Sequence, residues 1–207
     1  MILLIRHGQT HLNAERRFMG VTDAPLNDVG LQQAARLGQA LKGRVHAVIA
    51  SPLARAQQTA QAIGPVQTDG DLAELNQGSL EGLTGAEAIA RFPDFFARWQ
   101  QDPTHATVPG GESLHACQQR AVRAVERAVA RHQSGETVAL VTHQMVISSL
   151  RCWLDDTTLH GWRERSVRNT SVSLVRRQDA LALGVCDVLV GESAWSDVDR
   201  ALSMTLR

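Results

Sequence analysis

Three short apolar runs constrain the fold of this chain more than any other feature of its sequence. They cover residues 2–5, 45–50 and 137–142, and only His46 interrupts them. Short apolar runs without polar alternation are typical of strands buried on both faces of a parallel sheet. The sequence therefore predicts an α/β fold with a parallel core.

Segments of helical period lie between these runs. Asn27 is a residue type that begins helices, and the apolar stripe after it consists of Leu31, Ala34, Ala35, Gly38 and Leu41. Thr84 and Glu87 form a capping-box pattern for a second helix. Further helices are predicted over 53–63, around 95–99, over 114–129 and over 144–154, and a terminal hairpin is predicted from 171–176 and 182–190.

Composition limits the classes of protein to consider. The 207 residues fit one domain, and a formal net charge of zero gives no basic field for nucleic acid or an anionic membrane. Cys117, Cys152 and Cys186 have no CxxC spacing, so we interpret them as thiols of a reduced, cytoplasmic protein. No stretch has the length of a membrane span, and no signal sequence is recognised before the first strand. The oligomeric state is not indicated.

Two of the apolar runs end in a histidine, His7 after the first and His143 after the third. The carboxyl ends of parallel strands meet at one edge of a sheet, where α/β proteins bind their ligands. The two imidazoles are therefore expected at one site if these strands are neighbours. Taken alone, Arg6-His7-Gly8 fits a solvated basic turn as well.

Arg55 lies in the first turn of a predicted helix. A helix N-terminus carries partial positive charge, so an added cation is mildly unfavourable there and an anion is favoured. This position suggests a bound phosphate or carboxylate, with an exposed and screened side chain as the alternative.

Several other kinds of site have no motif in this sequence. HExxH, His-x-His and clustered carboxylates are absent, as are GxGxxG, GxxxxGK[ST] and G-x-S-x-G. Two histidines, two arginines and at least one glutamate remain at one predicted sheet edge. Such a set suits phosphoryl transfer without a metal ion, because guanidinium groups neutralise the phosphoryl oxygens while a neutral imidazole attacks phosphorus.

Motifs over most of the chain resemble those of the histidine phosphatase superfamily, the phosphoglycerate mutase-like proteins. The match begins with Arg6-His7-Gly8-Gln9-Thr10 and Asn13, where the family pattern is R-H-G-[EQ]-T-x-x-N. It continues in the family's order through 17–20, 23–30, 51–60, 72–82, 109–113, 141–143 and 169–171.

The resemblance implies a three-layer α/β/α fold with a mostly parallel central sheet. It implies a single domain over 1–207, with a small helical cap insertion at about 83–112. It also implies a metal-independent phosphomonoester hydrolase that acts through a phosphohistidine on a small phosphorylated metabolite, with no cofactor.

The resemblance further assigns roles to individual residues. His7 would be the nucleophile, and Glu74 would protonate the leaving alkoxide and then activate water. The phosphate and the substrate would be held by Arg6, Asn13, Arg55, His143 and Gln144. Glu81 competes with Glu74 for the acid role, but in the family pattern the second glutamate supports the loop.

Two residues depart from the family pattern. Met19 stands where glutamine is usual, and Gln144 stands where glycine often follows the second histidine. Both positions are expected to border the substrate, so they bear on specificity more than on chemistry. A functional role for His11 stays open because this residue lies near His7 in the sequence. Arg16 or Arg17 either contacts a second anionic group of the substrate or is a surface charge.

Two other functions are considered beside hydrolysis. Phosphoglycerate mutases of this family share the core motifs but usually carry a longer insertion around the acid, with an Arg-His-Tyr-type run that this chain lacks. A non-catalytic sensor of phosphorylated ligands is the third hypothesis, although such a protein has no need for an acid.

Overall fold

A six-stranded sheet forms the centre of the structure, a computed structural model that describes residues 1–133, 135–177 and 183–189. Its strands are β1 (Ile2–Arg6), β2 (Ala47–Ala50), β3 (Val66–Thr68), β4 (Val138–Thr142), β5 (Val172–Arg177) and β6 (Leu183–Leu189). Their order across the sheet is β3-β2-β4-β1-β5-β6. The first four strands run parallel, and β5 and β6 form an antiparallel hairpin beside β1.

Helices cover both faces of the sheet. They are α1 (His11–Ala14), α2 (Asp28–Leu41), α3 (Ala54–Gln61), α4 (Gly85–Arg91), α5 (Pro93–Gln101), α6 (Leu114–Arg131) and α7 (Gln144–Leu154). Helices α2 and α3 contribute to the apolar core on one face, and α6 and α7 contribute to the core on the other. The predicted three-layer α/β/α architecture with a mostly parallel sheet is confirmed.

Strand β1 shows why its apolar run has no polar alternation. Successive side chains of a strand point to opposite faces of the sheet. Leu3 and Ile5 belong to the core under α2 and α3, whereas Ile2 and Leu4 belong to the core under α6 and α7. Both faces of the strand are therefore buried, and a polar residue has no position at which it would reach water.

The apolar stripe predicted for α2 is partly wrong. The buried residues are Gly30, Ala34, Leu37, Gly38 and Leu41. Leu31 and Ala35 instead face solvent, with Leu31 48% exposed. The helix is turned toward its two glycines because each allows a close backbone approach: a Cβ atom would overlap the Gln9 carbonyl at Gly30 and the Ala62 carbonyl at Gly38.

The predicted helix starts agree with the structure. The Asn27 side chain accepts a hydrogen bond from the Gly30 amide, and the capping box between Thr84 and Glu87 is formed in both directions. Strand β3 was not predicted, because it has only three residues and two of them are exposed. The predicted hairpin is present, but its turn at 178–179 lies outside the described residues.

The segment at about 83–112, predicted to be a cap insertion, contains the two short helices α4 and α5. Phe95 and Trp99 of α5 are buried in the same core cluster as α6 and α7. Phe96 lies against Phe18, with 6.3 Å between the ring centroids. The division of the chain into one domain with a cap stays a prediction. Within the described ranges, no helix combines the length and the apolar composition needed to cross a membrane.

Replacing Gly30 with alanine tests the close approach between α2 and the loop after β1. Alanine normally favours a helix over glycine by about 1 kcal/mol, but overlap with the Gln9 carbonyl should lower the free energy of unfolding by about 1–3 kcal/mol. Urea denaturation measures this difference. Gly85→Ala is the matched control, because its Cβ meets no atom within 4 Å. Equal stability of the two variants would contradict this packing.

Candidate active site

The two histidines that follow strands β1 and β4 lie side by side. The strands pair in parallel with Arg6 opposite Thr142, and the His7 amide donates a hydrogen bond to the Thr142 carbonyl at 3.0 Å. The imidazole rings of His7 and His143 are 5.0 Å apart between centroids, at an interplanar angle of 56°. The convergence expected from two strand ends is therefore present in the structure.

The imidazole of His7 has a defined tautomer. Its Nδ1 lies 2.6 Å from the Gly8 carbonyl oxygen, which only accepts hydrogen bonds, so Nδ1 carries the proton. Nε2 then keeps its lone pair. Burial, together with the positive charges of Arg55 and Arg6, holds the pKa of His7 well below its usual range. The ring is a neutral base with Nε2 free to react.

Arg6 brings a partly buried positive charge beside His7. Its Nη1 donates to the Val167 carbonyl at 2.5 Å, while its buried Nε has no partner among the described residues. Burial lowers the pKa of Arg6 to about 10, partly opposed by Glu74, so the guanidinium stays cationic at neutral pH. An anionic oxygen would satisfy the Nε donor.

Arg55 is fully buried at the start of α3. Its Nε donates to His143 Nδ1 at 3.2 Å, Nη1 donates to the Thr22 carbonyl at 2.9 Å, and Nη2 donates to the Gly20 carbonyl at 2.7 Å. A guanidinium has five N–H groups, so two remain for a ligand. Burial lowers the pKa of Arg55, although Glu74 and other carboxylates counteract the effect.

Glu81 holds the loop that binds Arg55. Its Oε1 accepts a hydrogen bond from the Val21 amide at 2.8 Å, and its Oε2 accepts one from the Thr22 amide at 2.7 Å. The Thr22 hydroxyl donates to the same carboxylate. These contacts occupy Glu81 with the backbone around Thr22, which favours Glu74 over Glu81 as the acid.

His143 has the opposite tautomer to His7. Its Nδ1 accepts a hydrogen bond from Arg55, so Nε2 carries the proton and donates to Ser51 Oγ at 2.8 Å. Burial, with Arg55 and His7 close by, holds the pKa of His143 well below its usual range. Both imidazoles of the site are therefore neutral.

Glu74 is the buried carboxyl group of the site, only 6% exposed. Its Oε1 accepts a hydrogen bond from the Leu75 amide at 2.8 Å, and its Oε2 lies 3.3 Å from the Met145 amide in the first turn of α7. Burial raises the pKa of Glu74, although the Leu75 amide and Arg55 oppose the shift. The carboxyl group therefore keeps its proton to a higher pH than an ordinary glutamate.

Asn13 is joined through Asn169 to the loop that carries His7. The Asn13 Oδ1 accepts hydrogen bonds from the Thr10 amide at 3.2 Å and from Asn169 Nδ2 at 3.3 Å. Asn169 Nδ2 also donates to the His7 carbonyl at 3.0 Å. The Asn169 amide thus bridges the Asn13 side chain and the main chain of His7.

Gln144 begins α7 directly after His143, but its side chain is engaged elsewhere. Its Nε2 donates to Ser166 Oγ at 2.9 Å. In the described part of the chain, no hydrogen bond of its side chain joins it to His7, Arg6 or Glu74. The structure places the other predicted side chains in one cluster, which consists of Arg6, His7, Arg55, Glu74 and His143. Asn13 is linked to this cluster through Asn169. Contact of these residues and of Gln144 with a substrate stays a prediction.

The other residues that the sequence left open have different environments. Met19 is buried, and its sulfur accepts a hydrogen bond from the Thr10 hydroxyl at 3.6 Å. Arg17 bonds to Glu15 and Glu87 and to the Gly82 carbonyl, so its guanidinium is already engaged. His11 and Arg16 are exposed.

Sequence reasoning missed several residues that support the site. Ser51 and Asn169 lie within matched motifs but had no assigned role, and their side chains contact His143 and the His7 main chain respectively. Arg120 had no signal at all, because it lies on the polar side of an amphipathic helix and binds main-chain carbonyls distant in sequence. In the described ranges, no group of three His, Cys, Asp or Glu side chains is arranged to hold a metal ion.

Comparison with known proteins identifies the family. Residues 2–182 match the model of the histidine phosphatase superfamily, branch 1. The chain belongs to this superfamily. A metal-independent phosphoserine phosphatase of Arabidopsis thaliana is 31% identical over 212 residues, covering 98% of this chain and 84% of that protein. Phosphoglycerate mutase-like protein 4 of the same plant is 36% identical over 187 residues, which cover 86% of this chain and 80% of that protein.

Solved histidine phosphatase superfamily structures share the fold. YhfR of Bacillus stearothermophilus superposes with a TM-score of 0.82 at 34% identity, covering 89% of this chain and 94% of that one. A mycobacterial glucosyl-3-phosphoglycerate phosphatase, solved with VO3, superposes with a TM-score of 0.80 at 30% identity, covering 90% of this chain and 96% of that one. A bifunctional protein of Mycobacterium tuberculosis is 42% identical over 156 residues, but the match covers 72% of this chain and only 42% of that longer protein.

The buried neutral histidines predict a pH dependence of stability. His7 and His143 bind a proton readily only when unfolded, so acidification below about pH 6.5 should lower the free energy of unfolding by up to about 1.4 kcal/mol per pH unit for each. Glu74 makes a contribution of opposite sign: between about pH 4.5 and its raised pKa, acidification raises the free energy of unfolding, because the folded state binds the extra proton there.

Urea denaturation between pH 5.5 and 7.5 measures this dependence. The double variant His7→Gln/His143→Gln should lose less stability on acidification than the unsubstituted protein. His115→Gln/His160→Gln is the matched control, because both side chains are exposed. If the first double variant and the control had the same pH slope, the two buried rings would not be neutral in the folded protein.

Proposed function

We propose that this protein is a phosphomonoester hydrolase that forms a phosphohistidine at His7 and needs no metal ion. The observation that carries the proposal is the hydrogen bond from His7 Nδ1 to the Gly8 carbonyl, which leaves Nε2 as a neutral nucleophile. Membership of the superfamily and the relatives named as phosphatases support the reaction class.

In the first step, the lone pair of His7 Nε2 attacks phosphorus and forms a P–N bond. The P–O bond of the ester breaks, and its electron pair leaves with the alkoxide oxygen, which takes a proton from the Glu74 carboxyl group. The raised pKa of Glu74 favours the protonated form that this step requires. Arg6 and Arg55 neutralise charge on the non-bridging oxygens.

In the second step, water attacks the phosphorus of phosphohistidine. The Glu74 carboxylate takes a proton from this water, the P–N bond breaks, and its electron pair returns to His7 Nε2. Inorganic phosphate leaves, and both residues regain their initial protonation states. The acid and the base of the cycle are the same carboxyl group.

The physiological substrate is proposed only as a small phosphorylated metabolite. The names of the relatives supply a panel of phosphoserine, glucosyl-3-phosphoglycerate and α-ribazole phosphate. Initial rates on this panel, together with 2- and 3-phosphoglycerate, would rank the substrates. Transfer between the two phosphoglycerates that outruns phosphate release would favour the mutase alternative. A cytoplasmic location is part of the proposal and rests on the sequence.

Removing the nucleophile tests the reaction. His7→Ala should lower phosphate release from p-nitrophenyl phosphate by at least about 10³-fold, while the unsubstituted protein stays active in EDTA. Rapid quenching should trap an acid-labile, base-stable phosphoprotein that His7→Ala lacks. His115→Ala, an exposed histidine on α6, is the control and should keep full activity. Binding of phosphate without any turnover would instead favour a sensor.

Replacing Glu74 with glutamine tests the acid. Turnover of an alkyl phosphate, whose leaving group is poor, should fall by about 10²–10⁴-fold because the alkoxide receives no proton. Phosphorylation by 2,4-dinitrophenyl phosphate, whose leaving group needs no proton, should change much less. Glu126→Gln on the exposed side of α6 is the control. Unchanged turnover of the alkyl phosphate would show that another group is the acid.

A further inference from the structure

The loop that carries Glu74 is bound along its main chain by one largely buried arginine. Arg120 of α6 donates from Nη1 to the Asp71 carbonyl at 2.9 Å and to the Ala73 carbonyl, and from Nη2 to the Glu74 carbonyl at 2.9 Å. The loop runs between two short 3-10 turns and has no strand partner of its own at these residues. The carbonyls of this segment therefore depend on side chains for their hydrogen bonds.

Glu112 completes the arrangement on the other side of Glu74. Its Oε1 and Oε2 pair with Arg120 Nη2 at 2.5 Å and Nε at 3.2 Å. The Asn76 amide donates to Glu112 Oε1 at 2.9 Å, and the Glu112 amide donates to the Asn76 carbonyl at 3.1 Å. Arg120 thus binds the main chain from Asp71 to Glu74, and Glu112 binds the main chain at Asn76, two residues after Glu74.

All five N–H groups of Arg120 are used in these contacts. Three bind main-chain carbonyls and two bind the carboxylate of Glu112. Both side chains are largely buried, with 14% of Arg120 and 22% of Glu112 exposed. A lysine has only three donors at a single point, so it would keep the charge but not the set of five bonds.

The main chain that Arg120 holds determines where the Glu74 carboxyl group lies. One carboxyl oxygen accepts from the Leu75 amide, the next peptide group along the same loop, and the other faces Met145 at the start of α7. A shift of this loop would therefore move the carboxyl group relative to Arg55 and Arg6, whose charges act on it.

We propose that Arg120 and Glu112 are positioning residues that hold Glu74 where it can protonate the leaving group. The inference rests on the proposed function and deepens it. Neither residue transfers a proton or binds phosphate. Their contribution is the placement of the acid, so their loss should slow the reaction according to how much the leaving group needs a proton.

Arg120→Ala and Arg120→Lys test the proposal with two substrates. Turnover of an alkyl phosphate should fall by about 10²-fold, the usual effect of misplacing a reacting group by about 1 Å. Phosphorylation of His7 by 2,4-dinitrophenyl phosphate, measured in a single turnover, should change less than about threefold, since no acid is needed. The lysine variant keeps the positive charge beside Glu112, so it decides the question if the alanine variant fails to fold.

Arg123→Ala is the matched control, one turn further along α6. Its side chain is 56% exposed, and its contact within the described residues is with the Asp71 carboxylate at 3.4 Å, so both substrates should react at the unsubstituted rate. Equal losses on both substrates in Arg120→Lys, or no loss on either, would overturn the positioning role. If the unsubstituted protein neither forms a phosphoprotein nor releases phosphate, the proposed function itself is wrong, and this outcome is distinct from the other two.

Discussion

The parallel pairing of β1 with β4 is the constraint on which the site depends. The two strands are buried on both faces, and their register sets Arg6 opposite Thr142. A shift by one residue would turn every side chain of β1 to the other face of the sheet, so that each apolar side chain would meet the other apolar core, where it does not fit. The same register fixes the residue that follows each strand, His7 after β1 and His143 after β4. The burial of apolar side chains therefore positions the two histidines side by side without any polar contact between them.

Burial also sets the charge state of the site. It disfavours the charged form of every titratable group, so the pKa values of His7 and His143 fall while that of Glu74 rises. Arginine is the exception because its intrinsic pKa is so high that Arg6 stays cationic even when burial lowers its pKa to about 10. A neutral imidazole, a carboxyl group that keeps its proton to a higher pH than an ordinary glutamate, and positive charge therefore coexist in one largely buried site. This combination complements the phosphate dianion of the proposed reaction.

The sequence predicted those parts of the structure that follow from local pattern. Unbroken apolar runs locate β1, β2 and β4, and side-chain caps locate the starts of α2 and α4. The buried stripe of α2 was misassigned because its direction is set by contacts of Gly30 with a distant loop, which helical period does not encode. Arg120 was missed for a related reason: its acceptors are carbonyls, which every residue has, so no residue type in the loop reveals the contact.

The site therefore has two different kinds of support. His7, Arg6 and His143 are placed by main-chain register within the sheet, which is shared by two apolar cores. Arg55 and Glu74 lie outside that register, and each is held by polar side-chain contacts, the first with the carbonyls around residue 22 and the second through Arg120. Sheet packing is cooperative and resists small changes, whereas a loop held by a few hydrogen bonds moves when one donor is lost. The position of Glu74, the proposed acid, consequently depends on individual side chains more than the positions of His7, Arg6 and His143 do.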